Sequence, residues 1–130
     1  MFALSDCDFI GSITLSDGLT KIGEFAFLNC RNLENIVIPE TVTEIGLNAF
    51  ADSGLKSIIL PYGLTEIREK VFFGCHNLET VVIPDSVTKI GPYAFAWSGL
   101  KSITLPRGVE IVKYAFYNCR NLVVNYRNRP

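Results

Sequence analysis

Leu33-Glu34-Asn35-Ile36-Val37-Ile38-Pro39-Glu40-Thr41-Val42-Thr43-Glu44-Ile45-Gly46-Leu47-Asn48-Ala49-Phe50 is followed, after a short polar turn, by Leu55, where the same order of residue types begins again. Leu33, Leu55, Leu78, Leu100 and Leu122 open such segments at spacings of 22, 23, 22 and 22, and Ile10 stands 23 residues before Leu33. Self-similarity at a fixed interval of this size marks a chain built from stacked units, each unable to bury its apolar face alone. One array covers the chain: a partial unit at 1–9, full units at 10–32, 33–54, 55–77, 78–99 and 100–121, and a terminal strand and tail at 122–130. The unit at Leu100 is one residue short between Val109 and Glu110, which predicts strain or a bulge on its far side.

A second period overlies the first. Ser53-Gly54-Leu55-Lys56-Ser57-Ile58 returns as Ser98-Gly99-Leu100-Lys101-Ser102-Ile103, and Cys30 and Cys75 differ by the same 45 residues. Surface features are therefore expected to alternate between neighbouring turns.

Ile36-Val37-Ile38-Pro39, Ile58-Ile59-Leu60-Pro61 and Val81-Val82-Ile83-Pro84 are short apolar, mostly β-branched runs closed by proline, which predicts strands. Strands separated by one full return of the chain must stack in parallel, about 4.8 Å apart. The predicted fold is a β-rich solenoid with one parallel sheet on one face. The other face is expected to hold short strands (Val42 to Ile45, Val87 to Ile90) and helical or 3-10 turns at Ala49-Phe50 and Ala94-Phe95. Phe27, Phe50, Phe72, Phe95 and Phe116 share one repeat position and form the expected interior ladder.

Composition limits the function. With 48% hydrophobic residues in 130, the chain can bury a core, and a net charge of -1 provides no field for nucleic acid or an anionic membrane. No apolar run approaches the roughly 18 residues of a membrane span, and the first residues lack the pattern of a signal peptide. Cys30, Cys75 and Cys119 fall two turns apart, roughly 10 Å, beyond disulfide reach. Cys7 aligns one turn from Cys30, where a bridge is geometrically conceivable, but the reading adopted is free, buried thiols that react only on unfolding. The lone histidine, His76, does not complete a metal site with thiols strung along a ladder, and as Cys75's chain neighbour it reads as a solvated turn residue. Gly23, Gly46 and Gly91 recur at turn spacing and shape bends rather than cradle phosphate. No catalytic, cofactor or metal residues are assigned.

The informative surface is the outward strand face. Alternation turns Glu34, Asn35 and Val37 outward. Its second position reads Gly11, Glu34, Lys56, Glu79, Lys101, Val123, a ladder of alternating sign worth about 0.2–1 kcal/mol per pair. Its fifth position reads Thr14, Val37, Ile59, Val82, Thr104, Tyr126, an apolar stripe with hydroxyl ends of the kind that marks interaction surfaces. Trp97 stands where the other full units have Asn29, Asp52, Gly74 and Asn118, either as a binding hot spot or as part of a surface cluster with Tyr93, Phe73 and Tyr117. Arg120, Arg127 and Arg129 read as a solvated tail.

The combination of Ile-Pro, Val-Thr-x-Ile-Gly and Ala-Phe-x-x-Cys, over about Phe2 to Leu122, closely resembles the leucine-rich repeats of BspA-like proteins. The resemblance implies a leucine-rich repeat solenoid from a surface or secreted molecule of the kind implicated in adhesion to host proteins and cells. It transfers no catalytic residues, because the repeated pattern is structural.

Phe2 enters in mid-unit, and Leu122-Val123-Val124-Asn125-Tyr126 departs from the pattern with Asn125 where Ile belongs, so a piece of a longer protein is expected, Met1 being a start at the cut. The function expected is a noncatalytic protein-binding module using Val37, Ile59, Val82, Thr104, Glu34, Lys56, Glu79, Lys101 and Trp97, without cofactor, nucleic acid or membrane insertion. The alternative is a spacer or self-assembly unit pairing through open sheet edges. The oligomeric state expected is a monomer or a weak dimer through Phe2 and Leu4.

Overall fold

The repeated segments close into stacked turns. The structure, a computed structural model, describes Cys7 and residues 10–127. In chain order the strands are β1 (Ser12–Thr14), β2 (Lys21–Ile22), β3 (Asn35–Val37), β4 (Glu44–Ile45), β5 (Ser57–Ile59), β6 (Glu66–Ile67), β7 (Thr80–Val82), β8 (Lys89–Ile90), β9 (Ser102–Leu105), β10 (Glu110–Ile111) and β11 (Val123–Tyr126). Pro39, Pro61, Pro84 and Pro106 stand just beyond β3, β5, β7 and β9, where a residue without an N–H ends a ladder. The expected second strands are present as the short even-numbered strands, β2 beside β4, and β6, β8 and β10 in one three-stranded sheet.

All pairing is parallel, but the odd-numbered strands do not form the single continuous sheet expected. They bond as β1 with β3, β5 with β7, and β9 with β11. The breaks fall where the chain passes through Ser53-Gly54 and Ser98-Gly99. There the shorter turn is drawn inward: Gly54 N–H donates to Cys30 O and Gly99 N–H to Cys75 O, both at 3.1 Å. A Cβ on either glycine would collide with the carbonyl of Arg31 or His76, so only glycine permits this approach. Single bonds such as Lys56 N–H to Glu34 O, 3.2 Å, carry the stack across the gap. On the adjoining face, where β4 and β6 are not paired, Glu44 joins Lys21 at 3.0 Å and Arg68 at 3.2 Å.

The far side holds hydrogen-bonded turns, and no helix forms among the described residues. An α-helix uses its N–H groups within itself, whereas here they divide. Phe50 N–H donates to Val71 O and Phe72 N–H to Ala94 O, one turn onward, while Ala49 and Ala51 donate back to Gly46 O and Asn48 O. Positive φ at Asn48 (57°) and Asp52 (58°) ends each small turn.

The phenylalanine ladder is the core. Phe27, Phe50, Phe72 and Phe95 have no exposed surface. Successive centroids lie 5.2, 5.6 and 5.2 Å apart, continue to Phe116 at 5.4 Å, and the ring planes are within 11° of parallel. A centroid spacing beyond the strand spacing of about 4.8 Å means that the rings are offset, the arrangement their quadrupoles favour.

Two expectations are corrected. Cys7 and Cys30 form a disulfide, with Cα atoms 4.7 Å apart, because one turn separates them; Cys75 and Cys119 are free. The short unit after Leu100 keeps its pairing with the unit before it, Glu110 beside Lys89 and Ile111 beside Ile90. The last strand is shifted by one residue. Val124 pairs with Ile103 and Asn125 with Thr104, so Asn125, not Tyr126, continues the outward stripe, and Val123 lies beside Ser102, not Lys101. A one-residue slip exchanges the faces of a strand, and this register turns Val124 rather than a polar amide toward the side of Ile103. Phe2, Leu4 and Arg129 lie outside the described residues.

Replacing Phe72 by alanine removes a ring with neighbours above and below. Denaturant unfolding should show a loss of about 3–5 kcal/mol, whereas a loss below about 1 kcal/mol would mean that the ladder does not hold the turns together.

Candidate functional site

The strand pattern places every second side chain outward, and β3, β5 and β7 each read exposed, buried, exposed. Val37, Ile59 and Val82 thus form a row, 58%, 68% and 51% exposed, with Thr14 and Thr104 exposed on either side. Parallel register sets Ile59 directly beside Val82 and Thr14 beside Val37. The residues of the expected stripe are therefore exposed, paired in register as Thr14 with Val37 and Ile59 with Val82, with no strand pairing between β3 and β5.

Its charged flank is arranged in pairs. Lys56 meets Glu34 at 3.4 Å and Lys101 meets Glu79 at 3.2 Å. Each bridge spans a Ser-Gly step, where strand pairing lapses. The pairs are exposed, so each adds at most about 1 kcal/mol, and their clearer effect is a neutral, ordered border.

Two residues that the repeat did not single out extend this surface. Tyr62 is strongly exposed, and its N–H donates to Glu40 Oε2 at 3.1 Å. Arg127 is not a solvated tail residue: Nη1 donates to Asp85 Oδ1 at 2.8 Å and Nη2 donates to Ile83 O. Ile59, Tyr62, Val82, Asp85 and Arg127 line one shallow groove. Both additions come from turns and the terminal strand, where the repeat has no fixed residue.

Trp97 lies elsewhere, on the turn segments. It is 44% exposed and meets Tyr117 edge-to-face at 6.1 Å; Tyr117 in turn touches Tyr93 and Tyr114. Trp97 has φ 60°, as do its repeat equivalents Asn29, Asp52, Gly74 and Asn118, all within 58–73°. Asn, Asp and Gly tolerate this left-handed conformation, whereas for other residues it costs about 1–2 kcal/mol. Trp97 stands in the conformation against its intrinsic preference. Phe73 joins the cluster through Lys70, whose ammonium lies 5.6 Å from its ring and 5.9 Å from that of Tyr93.

The cysteine position continues as a ladder of alternating chemistry. Above Cys30 come Ser53, Cys75, Ser98 and Cys119. Sγ of Cys75 donates to Phe50 O at 3.0 Å and lies 3.5 Å from Ser53 Oγ, and Cys119 repeats the arrangement with Phe95 O and Ser98. Burial pushes the Cys75 thiol up to about 12. His76, exposed on the turn, lines a separate polar groove with Arg31, Asp52 and Asn77.

Comparison with known proteins agrees with this architecture. Residues 1–123 match the BspA type leucine rich repeat region in six copies, and the chain belongs to that family. No protein of curated function matches. Among solved structures, a leucine-rich repeat protein from Eubacterium ventriosum is 32% identical with a TM-score of 0.81, over 95% of this chain and 33% of that one. One from Bacteroides ovatus is 33% identical with a TM-score of 0.70, over 94% and 38%, and a leucine rich cell surface protein from Faecalibacterium prausnitzii is 27% identical with a TM-score of 0.68, over 96% and 42%. The chain thus spans between a third and about two fifths of these structures.

The cysteine chemistry predicts two titratable thiols in the denatured, unreduced chain and four after reduction. In the native protein at pH 8 Cys75 stays protonated and should resist a thiol reagent until unfolding. Mass-resolved labelling checks both statements.

Proposed function

We propose that the outward strand face is a protein-binding surface, and that the module serves noncatalytically in a surface or secreted adhesin-like protein that holds a host or matrix protein. The observation that carries this reading is the row Val37, Ile59 and Val82, three branched apolar side chains left in water, with Ile59 and Val82 side by side in register. A solvated face needs no such row, and contiguous exposed apolar surface with a polar rim is the usual form of an interaction site. The paired charges Glu34–Lys56 and Glu79–Lys101 supply that rim, and Thr104 extends the row. Membership in a repeat family whose units serve generally in protein interaction, and likeness to a structure described as a cell surface protein, support the same reading. The alternative, a spacer or self-assembling unit, would use the exposed outer strand β11 instead.

Binding to a panel of extracellular matrix proteins tests the proposal. Burying an isoleucine contributes about 1.5–3 kcal/mol, so Ile59→Glu should weaken the captured partner by at least roughly tenfold while leaving the circular dichroism unchanged. Equal affinity of the variant would remove the stripe from the account, and filaments or larger oligomers without any heterologous partner would favour self-assembly.

A further inference from the structure

A second surface lies on the turn segments of the units beginning at Leu78 and Leu100. Tyr93 and Tyr114 stack at 5.5 Å, Tyr117 meets both edge-to-face at 6.2 and 5.7 Å, and Trp97 meets Tyr117 at 6.1 Å. Tyr117 thus stands across the stacked Tyr93–Tyr114 pair at 70° and 89°, and across Trp97 at 67°, so the four rings form one interlocked cluster. Trp97, Tyr114 and Tyr117 remain exposed on it.

The backbone holds three of these four residues in a conformation that large side chains seldom adopt. Tyr93, Trp97 and Tyr114 all have positive φ, 56°, 60° and 69°. Elsewhere the Trp97 position holds Asn29, Asp52, Gly74 and Asn118, residues suited to that conformation, while the Tyr93 and Tyr114 position holds Phe25, Asn48 and Lys70. The position of Tyr117 is filled by Ala51 and Ala96 in two other units and by Leu28 and Phe73 in the remaining two. Bulky residues held in a disfavoured conformation while facing water cluster at functional sites.

Charge completes the description. The Lys113 ammonium lies 4.9 Å from the centre of the Tyr114 ring, and Lys70 lies 5.9 Å from that of Tyr93. A side-chain anchor from a protein partner seeks a pocket. A ligand with an apolar face and peripheral oxygens fits such a cluster: a pyranose stacks its C–H face on one exposed ring such as Trp97, its hydroxyls reach tyrosine hydroxyls, and a ring carboxylate finds an ammonium. We infer that Tyr93, Trp97, Tyr114 and Tyr117, with Lys70 and Lys113 at the border, form a binding site for an acidic glycan of uronic acid type, separate from the strand face.

Trp97 is the only tryptophan, so its emission reports the site directly. The full chain is titrated with oligogalacturonate and with a neutral cello-oligosaccharide, by fluorescence and calorimetry. Saturable binding of the acidic sugar with a change in Trp97 emission is expected, and the neutral sugar should bind at least several-fold more weakly. Trp97→Asn and Tyr117→Ala place the repeat's own residues at those positions; both should keep the unfolding midpoint within a few degrees and lose at least tenfold in affinity by calorimetry. Lys70→Gln combined with Lys113→Gln should abolish the preference for the acidic sugar. The inference is overturned if neither sugar binds, if both aromatic variants bind as the parent does, if the neutral sugar binds equally well, or if a proline-rich peptide and not a sugar perturbs Trp97.

Discussion

On the far side of the coil, the amide of one turn donates to the carbonyl of the next: Phe27 to Ala49, Phe50 to Val71, Phe72 to Ala94 and Phe95 to Ala115, each at 2.7–2.9 Å. A turn that must satisfy its backbone against its neighbour has to return to the same place every time. Equal positions of the repeat are then stacked whatever their side chains are. The ring ladder, the cysteine and serine ladder and the outward stripe all follow from that one constraint. It also explains the chemistry of the thiols. Cys7 and Cys30 are consecutive and join, whereas Ser53 and Ser98 separate the others and hydrogen-bond to them.

The same backbone arrangement imposes left-handed conformations at two positions of each turn. Most units meet one of them with Asn, Asp or Gly, at little cost. Trp97 meets it with a large ring, and its stability cost has to be offset by the rest of the array. The two candidate surfaces thus differ in origin. The strand face uses positions that the repeat leaves free, and the aromatic cluster draws Tyr93, Trp97 and Tyr114 from positions of positive φ.

Much of this was legible in residue order. Spacing alone aligned Phe27 through Phe116, and alternation alone turned Val37, Ile59 and Val82 outward, because both follow from a fixed period. What spacing does not convey is the sharing of hydrogen bonds between turns. Hence the helical turns expected at Ala49-Phe50 are not helical, and the sheet is bonded in pairs. The last strand is displaced from the sequence alignment because matching Leu122 to Leu100 fixes the turn but not the strand after it, where Val124 pairs with Ile103. Tyr62 and the reach of Arg127 to Asp85 lie at positions of no fixed residue type and carried no periodic signal. The φ of Trp97 has no signature in its own identity, although the Asn, Asp and Gly around it in the ladder were a clue.

Native-state hydrogen exchange, resolved by residue, measures the central claim most directly. If inter-turn donation holds the array together, the amides of Phe50 and Phe72 should exchange only through global unfolding, while those of Leu15 and Arg127, bonded at the ends of the stack, exchange through local opening at lower free energy. Rapid exchange of Phe50 and Phe72 under native conditions, or no gradient between centre and ends, would contradict it.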